Sequence, residues 1–336
     1  MNVLLTGGLG YIGSNIVSSF LNSEYTPVIF DNLSNSSIDY LDTIKEVYGA
    51  NVEFIEGDLR DKGSIHNALS IFNVDAVIHL AGLKSVSESV ADPDSYYENN
   101  VVGSKNLIQS MEELKIFNLV FSSSATVYGA PQTLPIDESH PLNPINPYGQ
   151  YKMEVESIIQ DCCNSNQDFR ACILRYFNPV GAHKSGLLGE FINKEPNNIM
   201  PIINLVALGQ KDHIGIYGDD YETNDGTGIR DYIHITDLSE AHISALEFTL
   251  SNINQNCSIF NLGTGKGCSV LELVKIFEKT NNIHIPIKVL SRRPGDISES
   301  VASPNRANKQ LHWHANRGLK EMCESSYKFY QNNSVT

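Results

Sequence analysis

The chain has 336 residues and a formal net charge of −15, with 41% hydrophobic and 19% charged residues. Such a composition is typical of a globular protein and excludes extensive disorder. The negative charge opposes binding to nucleic acid or to an anionic membrane surface. The chain opens without a signal-like segment and has no run of 18 apolar residues, so we predict a cytoplasmic protein without nucleic-acid or membrane partners. Six cysteines without metal-like spacing predict reduced thiols and no metal site.

Short β-rich runs alternate with longer helical stretches through the first half of the chain. The predicted strands are 3–5, 28–30, 52–55, 76–80, 119–121 and 172–174, and the predicted helices are roughly 12–22, 38–48, 61–71, 98–114 and 147–163. Continuous apolar strands between helices predict an α/β fold with a doubly wound, parallel sheet of the Rossmann type.

After about residue 177 the pattern changes to loops rich in glycine and proline, with shorter helices near 199–208 and 270–279. We therefore predict a dinucleotide-binding domain over 1–177 and, mainly over 178–336, a smaller α/β substrate-binding domain. A segment near 230–262 is expected to return to the sheet domain.

The first predicted strand runs into the glycine-rich turn Gly7-Gly8-Leu9-Gly10-Tyr11-Ile12-Gly13. Glycine permits a tight turn, lets a pyrophosphate approach bare backbone and allows close packing of helix on strand. The second strand ends in Asp31, where a carboxylate accepts hydrogen bonds from ribose hydroxyls and repels a 2′-phosphate. Each feature alone is also compatible with a structural turn, but together they favour NAD as the cofactor.

Two further strand ends carry candidate cofactor ligands. Asp58 and Leu59 follow the third strand, and Leu80-Ala81-Gly82 follow the fourth. Ligands of open α/β sheets lie at the carboxyl ends of the strands. Asp58 is expected either to meet the adenine edge or to cap the next helix.

The candidate catalytic residues follow the fifth strand. Ser124 lies in a serine-rich segment, and Tyr148 and Lys152 are four residues apart on a predicted helix, so they share a face. A tyrosine is a poor base at neutral pH, but a nearby ammonium and a positive nicotinamide ring favour its phenolate. We predict that Tyr148 takes the proton of a substrate hydroxyl, Lys152 also holds the nicotinamide ribose, and Ser124 donates to the reacting oxygen. Alone, such a pair is more typical of a surface helix, but after a serine-rich strand end in a dinucleotide-binding fold the catalytic interpretation is favoured.

Several segments resemble those of UDP-galactose (UDP-glucose) 4-epimerases, which are extended short-chain dehydrogenases/reductases; they are 6–13, 79–84, 122–129, 176–182 and 230–234. The resemblance runs from residue 1 to about 325. It implies an isomerase with tightly held NAD that is reduced and reoxidised within one turnover, through a 4-keto sugar. It also implies a UDP-sugar substrate and a homodimer formed through helices 98–114 and 147–163. Galactose metabolism and polysaccharide biosynthesis stay open as the pathway.

Motifs and resemblance together nominate the site residues. For NAD they are Gly7, Gly10, Tyr11, Ile12, Gly13, Asp31, Asn32, Asp58, Leu59, Leu80, Ala81, Gly82, Lys84, Asn99, Ser122, Tyr148, Lys152 and Phe177. For the UDP-sugar they are Ser124, Asn178, Asn198, Arg230, Arg293, Asp296 and Ser300. Leu80 stands where the family has an aromatic residue, which should alter only packing beside the cofactor.

Two rival functions use the same fold. A sugar-nucleotide 4,6-dehydratase needs an acidic pair after the fifth strand, but Ala125 and Thr126 occupy those positions. A non-catalytic NAD-binding regulator would not need Tyr148 and Lys152. Both alternatives are therefore disfavoured.

Ser300 bears on the choice of sugar. In the resembling family, the fourth residue after the uridine-ribose aspartate limits the room at C2 of the hexose, and from Asp296 that position is Ser300. A small residue there predicts that UDP-GlcNAc and UDP-GalNAc are interconverted as well as UDP-glucose and UDP-galactose. The alternative is a shift of one position, to Glu299 or Val301.

Overall fold

A computed structural model of the protein describes residues 1–192, 196, 198–252, 255–293 and 295–333. The strands are β1 (Asn2–Thr6), β2 (Thr26–Asp31), β3 (Glu53–Glu56), β4 (Ala76–His79), β5 (Asn118–Ser124), β6 (Arg170–Tyr176), β7 (Asn178–Val180), β8 (Ile214–Tyr217), β9 (Ile229–His234), β10 (Cys257–Leu262), β11 (Gly267–Ser269), β12 (Ile287–Leu290) and β13 (Glu299–Ser300). The α-helices are α1 (Tyr11–Phe20), α2 (Asp39–Tyr48), α3 (Lys62–Ile71), α4 (Val86–Ala91), α5 (Pro93–Tyr97), α6 (Gly103–Glu113), α7 (Pro147–Ser165), α8 (Ile199–Ala207), α9 (Ile235–Ser251), α10 (Val270–Asn281), α11 (Asn305–Gln310) and α12 (Leu319–Asn333).

Seven parallel strands form the main sheet, in the order β10-β6-β5-β4-β1-β2-β3. The chain winds outward from β1 to β3, returns to β4 and continues to the other edge, so the winding reverses between β1 and β4. The predicted fold class is confirmed. All six predicted strands are present, and the third begins one residue later than predicted, at Glu53. The seventh, β10, joins the sheet from a segment far along the chain.

The predicted helix over 98–114 is not a single α-helix. It begins as a π-helix over Glu98–Val102 and continues as α6. The apolar periodicity of the sequence is read in steps of 3.6 residues, so it does not reveal the extra residue in a π-turn.

Both faces of the main sheet are covered by helices. Val3 and Leu5 lie in an apolar cluster with residues of α1, α2 and α9, whereas Leu4 lies in a second cluster with residues of α3, α6 and α7. Successive strand residues point to opposite faces, so the continuous apolar run of β1 fills both layers. Each such side chain stabilises the fold by about 1.5–3 kcal/mol.

A third apolar cluster joins α8, α10 and α12 to a small sheet of order β11-β9-β13, in which β7 also pairs with β9. β8 and β12 form a separate two-stranded sheet. Two elements from the second half of the chain belong to the main sheet and its helices: α9 packs on α1, and β10 pairs with β6. The six cysteines are free thiols, and all but the half-buried Cys257 are buried. Over the described ranges, no helix combines the length and apolar character needed to cross a membrane.

Candidate functional site

Two glycines of the turn between β1 and α1 are required by the protein's own backbone. Gly7 has a φ of +70°, and a Cβ there would lie 2.9 Å from the backbone N and Cα of Ala81. A Cβ on Gly13 would lie 2.2 Å from the carbonyl oxygen of Gly7. Glycine is therefore needed at both positions to close the turn and to seat α1 against it.

Gly10 has a different environment. It is the N-cap residue of α1, with an ordinary φ of −74°, and no side chain caps the helix. A Cβ on Gly10 would meet only the Gly7 oxygen, at an ordinary contact distance of 3.4 Å. The fold alone does not require glycine here. The uncapped N–H groups of the first turn form the type of helix N-terminus that binds phosphate.

The Asp31 carboxylate braces this turn from the end of β2. It is buried and accepts hydrogen bonds from the backbone N–H groups of Leu9 and Leu33, both at 3.0 Å, and from the Ser36 hydroxyl at 2.8 Å. A carboxylate offers about four acceptor positions, so Asp31 can accept one more hydrogen bond from a ligand.

Asn32 and Asp58 bring the ends of β2 and β3 together. The Asn32 amide donates to Asp58 Oδ2 at 3.0 Å, and the Arg60 guanidinium donates to both carboxylate oxygens at 2.7 and 3.0 Å. The hydrogen bonds from Arg60 hold the pKa of Asp58 well below its usual range. The interpretation of Asp58 as a helix cap is wrong, because Asp61 caps α3.

The segment after β4 is held from two sides. The Thr6 hydroxyl accepts hydrogen bonds from the N–H groups of Leu80 and Ala81, each at 3.2 Å. The buried Asn100 amide accepts from Leu83 N–H at 2.8 Å and donates to Leu83 C=O at 2.9 Å. Between these anchors lies Gly82, where a Cβ would come within 3.0 Å of Asn100 Oδ1.

The predicted NAD residue Asn99 lies in the π-helix, directly before Asn100. Its amide donates to the Ser95 carbonyl at 2.8 Å, within its own helical stretch. The neighbouring Asn100, which is not among the predicted site residues, holds the segment after β4. Both lie in the π-helix, and the sequence shows only two adjacent asparagines without indicating which one turns inward.

Local sequence explains how α7 presents Tyr148 and Lys152. Asn146 caps the helix by accepting from Gly149 N–H at 2.8 Å, and Pro147 occupies the first helical position. Tyr148 thus lies in the first turn, with Lys152 one turn later on the same side. Lys152 Nζ donates to the Ser122 carbonyl at 2.7 Å and lies 5.9 Å from the centre of the Tyr148 ring.

Burial is the main influence on the protonation of both Tyr148 and Lys152. Burial raises the pKa of Tyr148 to about 12, while a hydrogen bond with Ser124 lowers it. Burial lowers the pKa of Lys152 to about 8, while the charge of Glu156 raises it. The Ser124 hydroxyl accepts from Thr126 Oγ1 at 3.0 Å, so its own proton is directed to its hydrogen bond with Tyr148. The protein alone therefore holds a neutral phenol next to an ammonium whose charge is poorly solvated.

Three of the predicted substrate residues converge at the small sheet. Arg230 NH2 forms an ion pair with Asp296 Oδ1, and Arg230 NH1 donates to the Ile229 carbonyl at 2.8 Å. Ser300 is the register partner of Arg230 in β13 and is buried. Arg293 is exposed and stacks on Tyr217, with Cζ 3.8 Å from the ring centre.

Glu190 joins residues predicted for different ligands. Its Oε1 accepts from Lys84 Nζ at 2.8 Å and from Asn198 Nδ2 at 3.1 Å. The Tyr330 hydroxyl donates to the Glu190 carbonyl at 2.8 Å. Glu190 is not among the predicted site residues, because no motif around it signals that it would meet Lys84 across 106 residues.

The other nominated residues lie around these groups. The Tyr11 hydroxyl donates to the Gly181 carbonyl at 2.7 Å, linking the start of α1 to the segment after β7. Leu59 packs in the core beneath α3 and α6, and Phe177 is buried beside Val127 and Tyr128. The remaining two are partly buried, namely Ile12 on α1 and Asn178 at the start of β7.

Comparison with known proteins gives consistent results over nearly the whole chain. A family model described as GDP-mannose 4,6 dehydratase matches residues 4–326. The UDP-glucose 4-epimerase of Bacillus subtilis is 47% identical over 333 residues, which cover 99% of this chain and 98% of that one.

Solved structures agree. The UDP-glucose 4-epimerase of Stenotrophomonas maltophila, with bound NAD and formylated UDP-arabinopyranose, is 41% identical with a TM-score of 0.97, covering 99% of both chains. The enzyme of Bifidobacterium longum, in complex with NAD+ and UDP, is 41% identical with a TM-score of 0.95 and the same coverage. The resemblance inferred from the motifs is thereby confirmed. The chain belongs to the UDP-glucose 4-epimerases of the extended short-chain dehydrogenase/reductase family.

Proposed function

We propose that the protein is an NAD-dependent UDP-hexose 4-epimerase that interconverts UDP-glucose and UDP-galactose. The observation that carries this proposal is the approach of Ser124, Tyr148 and Lys152 at the carboxyl end of β5, with only β4 between this strand and β1, which leads into the glycine-rich turn. Ligands of doubly wound sheets bind at this end of the strands.

The residues around the turn fit NAD. The fold does not require glycine at position 10, so the space left by the missing side chain is available to a ligand. This space lies next to uncapped N–H groups that can hold a pyrophosphate. Asp31 has an acceptor position left for a ribose hydroxyl, and its buried charge would repel the 2′-phosphate of NADP. When bound, NAD supplies the acceptor for the C4 hydride and returns it within the same turnover.

In the proposed mechanism, Tyr148 takes the proton of the C4 hydroxyl and later gives it back, because C4 becomes a ketone and then an alcohol again. The protein alone keeps Tyr148 protonated, with a pKa of about 12. The nearby Lys152 ammonium, with the positive nicotinamide ring, lowers the cost of the phenolate. Ser124 donates to the reacting oxygen. The 4-keto sugar rotates in the pocket, so that the hydride returns to the opposite face of C4.

For the UDP moiety we propose the arginines and the residues around them. Guanidinium groups match diphosphate oxygens in a bidentate manner, which assigns the phosphates to Arg230 and Arg293. Asp296 would then exchange part of its pairing with Arg230 for the uridine ribose hydroxyls. Asn178 and Asn198 are proposed to contact the nucleotide sugar, with Phe177 along the hexose.

The assay that tests this function uses purified protein and UDP-galactose without added NAD. Chromatography or NMR should detect UDP-glucose until the two sugars equilibrate, because the cofactor travels with the protein and is regenerated. A 4-keto-6-deoxy product would instead indicate a 4,6-dehydratase. Ala125 and Thr126 disfavour that outcome, since neither side chain can act as a carboxylate acid or base.

The proposed substrate range includes UDP-GlcNAc and UDP-GalNAc. Ser300 supports this extension because a serine beside Arg230 leaves more room at C2 of the hexose than a tyrosine would. The Ser300→Tyr variant is expected to lose N-acetyl substrates selectively, by about tenfold or more in kcat/KM, while retaining UDP-galactose turnover.

Glu299→Tyr is the matched control for a shift of one position. Neighbouring residues of a strand point to opposite faces, so only one of the two can line the pocket. Unchanged N-acetyl turnover in Ser300→Tyr would refute the assignment, and selective loss in Glu299→Tyr would support the shifted alignment.

We further propose the division into an NAD-binding part over 1–177 and a UDP-sugar-binding part mainly over 178–336. The separation of the third apolar cluster from the two that flank the main sheet supports this division, as does the membership of α9 and β10 in the sheet part.

A homodimer through α6 and α7 is proposed as well. A groove of about 670 Å³ runs along the outer side of α7, beside Leu142, Tyr151 and Met153. A cytoplasmic location completes the proposal; size-exclusion chromatography with light scattering tests the dimer.

A further inference from the structure

We propose that the buried Arg175–Glu156 ion pair is a positioning device that fixes Tyr148 and Lys152 against Ser124. This inference rests on the function proposed above. Glu156 lies one turn after Lys152 on α7, and Arg175 lies on β6 as the register partner of Ser123 on β5. The pair therefore links α7, which carries two of the proposed catalytic residues, to β6, and Ser123 joins the same carboxylate from β5, next to Ser124.

The pair is fully enclosed and well bonded. Glu156 is 0% and Arg175 2% exposed. Arg175 Nε donates to Glu156 Oε1 at 3.0 Å and NH2 donates to Oε2 at 2.6 Å, and the Ser123 hydroxyl donates to Oε1 at 2.5 Å. Such a bidentate arrangement fixes both distance and orientation.

Arg175 also bonds the turn that follows Ser124. Arg175 NH1 donates to the Tyr128 hydroxyl at 2.9 Å, and that hydroxyl donates to Asn261 Oδ1 at 2.7 Å. Tyr128 ends the 3-10 turn Ala125–Tyr128. Ser124 is therefore held from both sides, through Ser123 before it and Tyr128 after it.

Stability alone does not account for this arrangement. Apolar residues of similar volume often replace a buried ion pair with no loss of stability, because the charges must be taken out of water. Val155 and Ile159 already pack α7 onto the sheet, but apolar contacts are non-directional and allow a helix to slide. Three hydrogen bonds to one carboxylate prevent that sliding.

Tyr148 has to be positioned to within less than about 1 Å for efficient catalysis. Tyr148 lies two turns from Glu156, a distance of about 12 Å along a rigid helix. A displacement of about 1 Å in a catalytic group lowers the rate by about 10²-fold. We therefore expect the network to act on kcat more than on KM.

The main test replaces both charges with apolar side chains, in the double variant Glu156→Met/Arg175→Met. This variant avoids leaving one charge buried alone. We expect it to keep its NAD content and its KM for UDP-galactose, while kcat falls about 10–10²-fold. A folded double variant with the wild-type kcat would overturn the proposal.

Ser123→Ala removes one hydrogen bond without changing any charge, and it keeps the proposal testable if the double variant does not fold. We expect a somewhat lower melting temperature, because one buried hydrogen bond to a charged group is lost, and a kcat lowered about fivefold with an unchanged KM. Full activity in Ser123→Ala would overturn the proposal in that case.

The double variant Asp237→Asn/Arg317→Met is the matched control, because it also removes both charges of an ion pair. It breaks an ion pair to a fully buried carboxylate, Asp237 on α9, outside the Ser123–Tyr128 network. We expect a lower melting temperature with an unchanged kcat. An equal loss of kcat in this control would show that any buried ion pair has the same effect. Absence of epimerase activity in the wild type would refute the proposed function, which separates that failure from failure of the positioning role.

Discussion

The Gly10→Ala substitution is expected to prevent NAD binding while leaving the fold intact. A Cβ at Gly10 meets only one protein atom, at 3.4 Å, and the backbone there has an ordinary φ of −74°. The expected cost to stability is that of exchanging a glycine N-cap for alanine, about 0.5–1.5 kcal/mol. The methyl group instead occupies the space in which a pyrophosphate would approach the first turn of α1.

Gly13→Ala is the matched contrast within the same turn. Its Cβ would lie 2.2 Å from the Gly7 carbonyl oxygen and less than 3 Å from the backbone of Gly8. Because these neighbours are backbone atoms, α1 has to move away from the turn. Overpacking of this kind costs about 1–3 kcal/mol or more, so we expect this variant to lose stability as well as NAD.

The assay compares the NAD content of purified protein, from the absorbance of cofactor released on denaturation, with the free energy of unfolding in urea. To remove the effect of bound NAD on stability, unfolding is measured on cofactor-free samples. Gly10→Ala should lose NAD and remain close to the wild type in the unfolding free energy of the cofactor-free protein. Wild-type NAD content in Gly10→Ala would refute the assignment of the phosphate site.

Two further predictions concern the proposed base, Tyr148, and the buried His79. Tyr148→Phe should keep its NAD and lose about 10²–10⁴-fold in kcat, since it removes only the proton acceptor, and normal turnover would rule out Tyr148 as the base. Burial lowers the pKa of His79 to about 3, and its ring bonds Thr6 and Ser104, so folding favours the neutral ring. His79 therefore contributes stability above about pH 6.5 that is lost as the pH falls toward 3. The free energy of unfolding, measured in urea titrations, should fall between pH 7.5 and pH 5.5 in both the wild type and His79→Asn. We expect the fall to be about 1.4 kcal/mol smaller in His79→Asn than in the wild type, and an equal fall in both would contradict this.

The motifs predicted features that depend on neighbours along the chain. Gly7, Gly13 and Asp31 meet in one turn because a strand, a tight turn and a helix are consecutive in the sequence. Tyr148 and Lys152 share a face because four residues make about one helical turn. These local regularities were sufficient to predict the fold class and the common face of α7.

Contacts between distant segments were not predictable in this way. Glu190 meets Lys84 and Asn198 because the segment after β7 folds back over the start of α1, which no local pattern encodes. The buried partners Arg175 and Glu156 look like ordinary strand and helix residues, since charge alone does not signal burial. The role of Asn100 at the segment after β4 was not predictable either, because a π-turn rotates the side chains relative to an α-helix.

The most direct test of the account follows deuterium at C4. Purified protein is given UDP-galactose deuterated at C4, in ordinary water and without added NAD, and the product is analysed by NMR and mass spectrometry. If hydrogen leaves C4 and returns to the opposite face on the same protein molecule, the UDP-glucose formed retains deuterium at C4. UDP-glucose that carries solvent hydrogen at C4 would contradict the account, because inversion would then proceed by exchange with water.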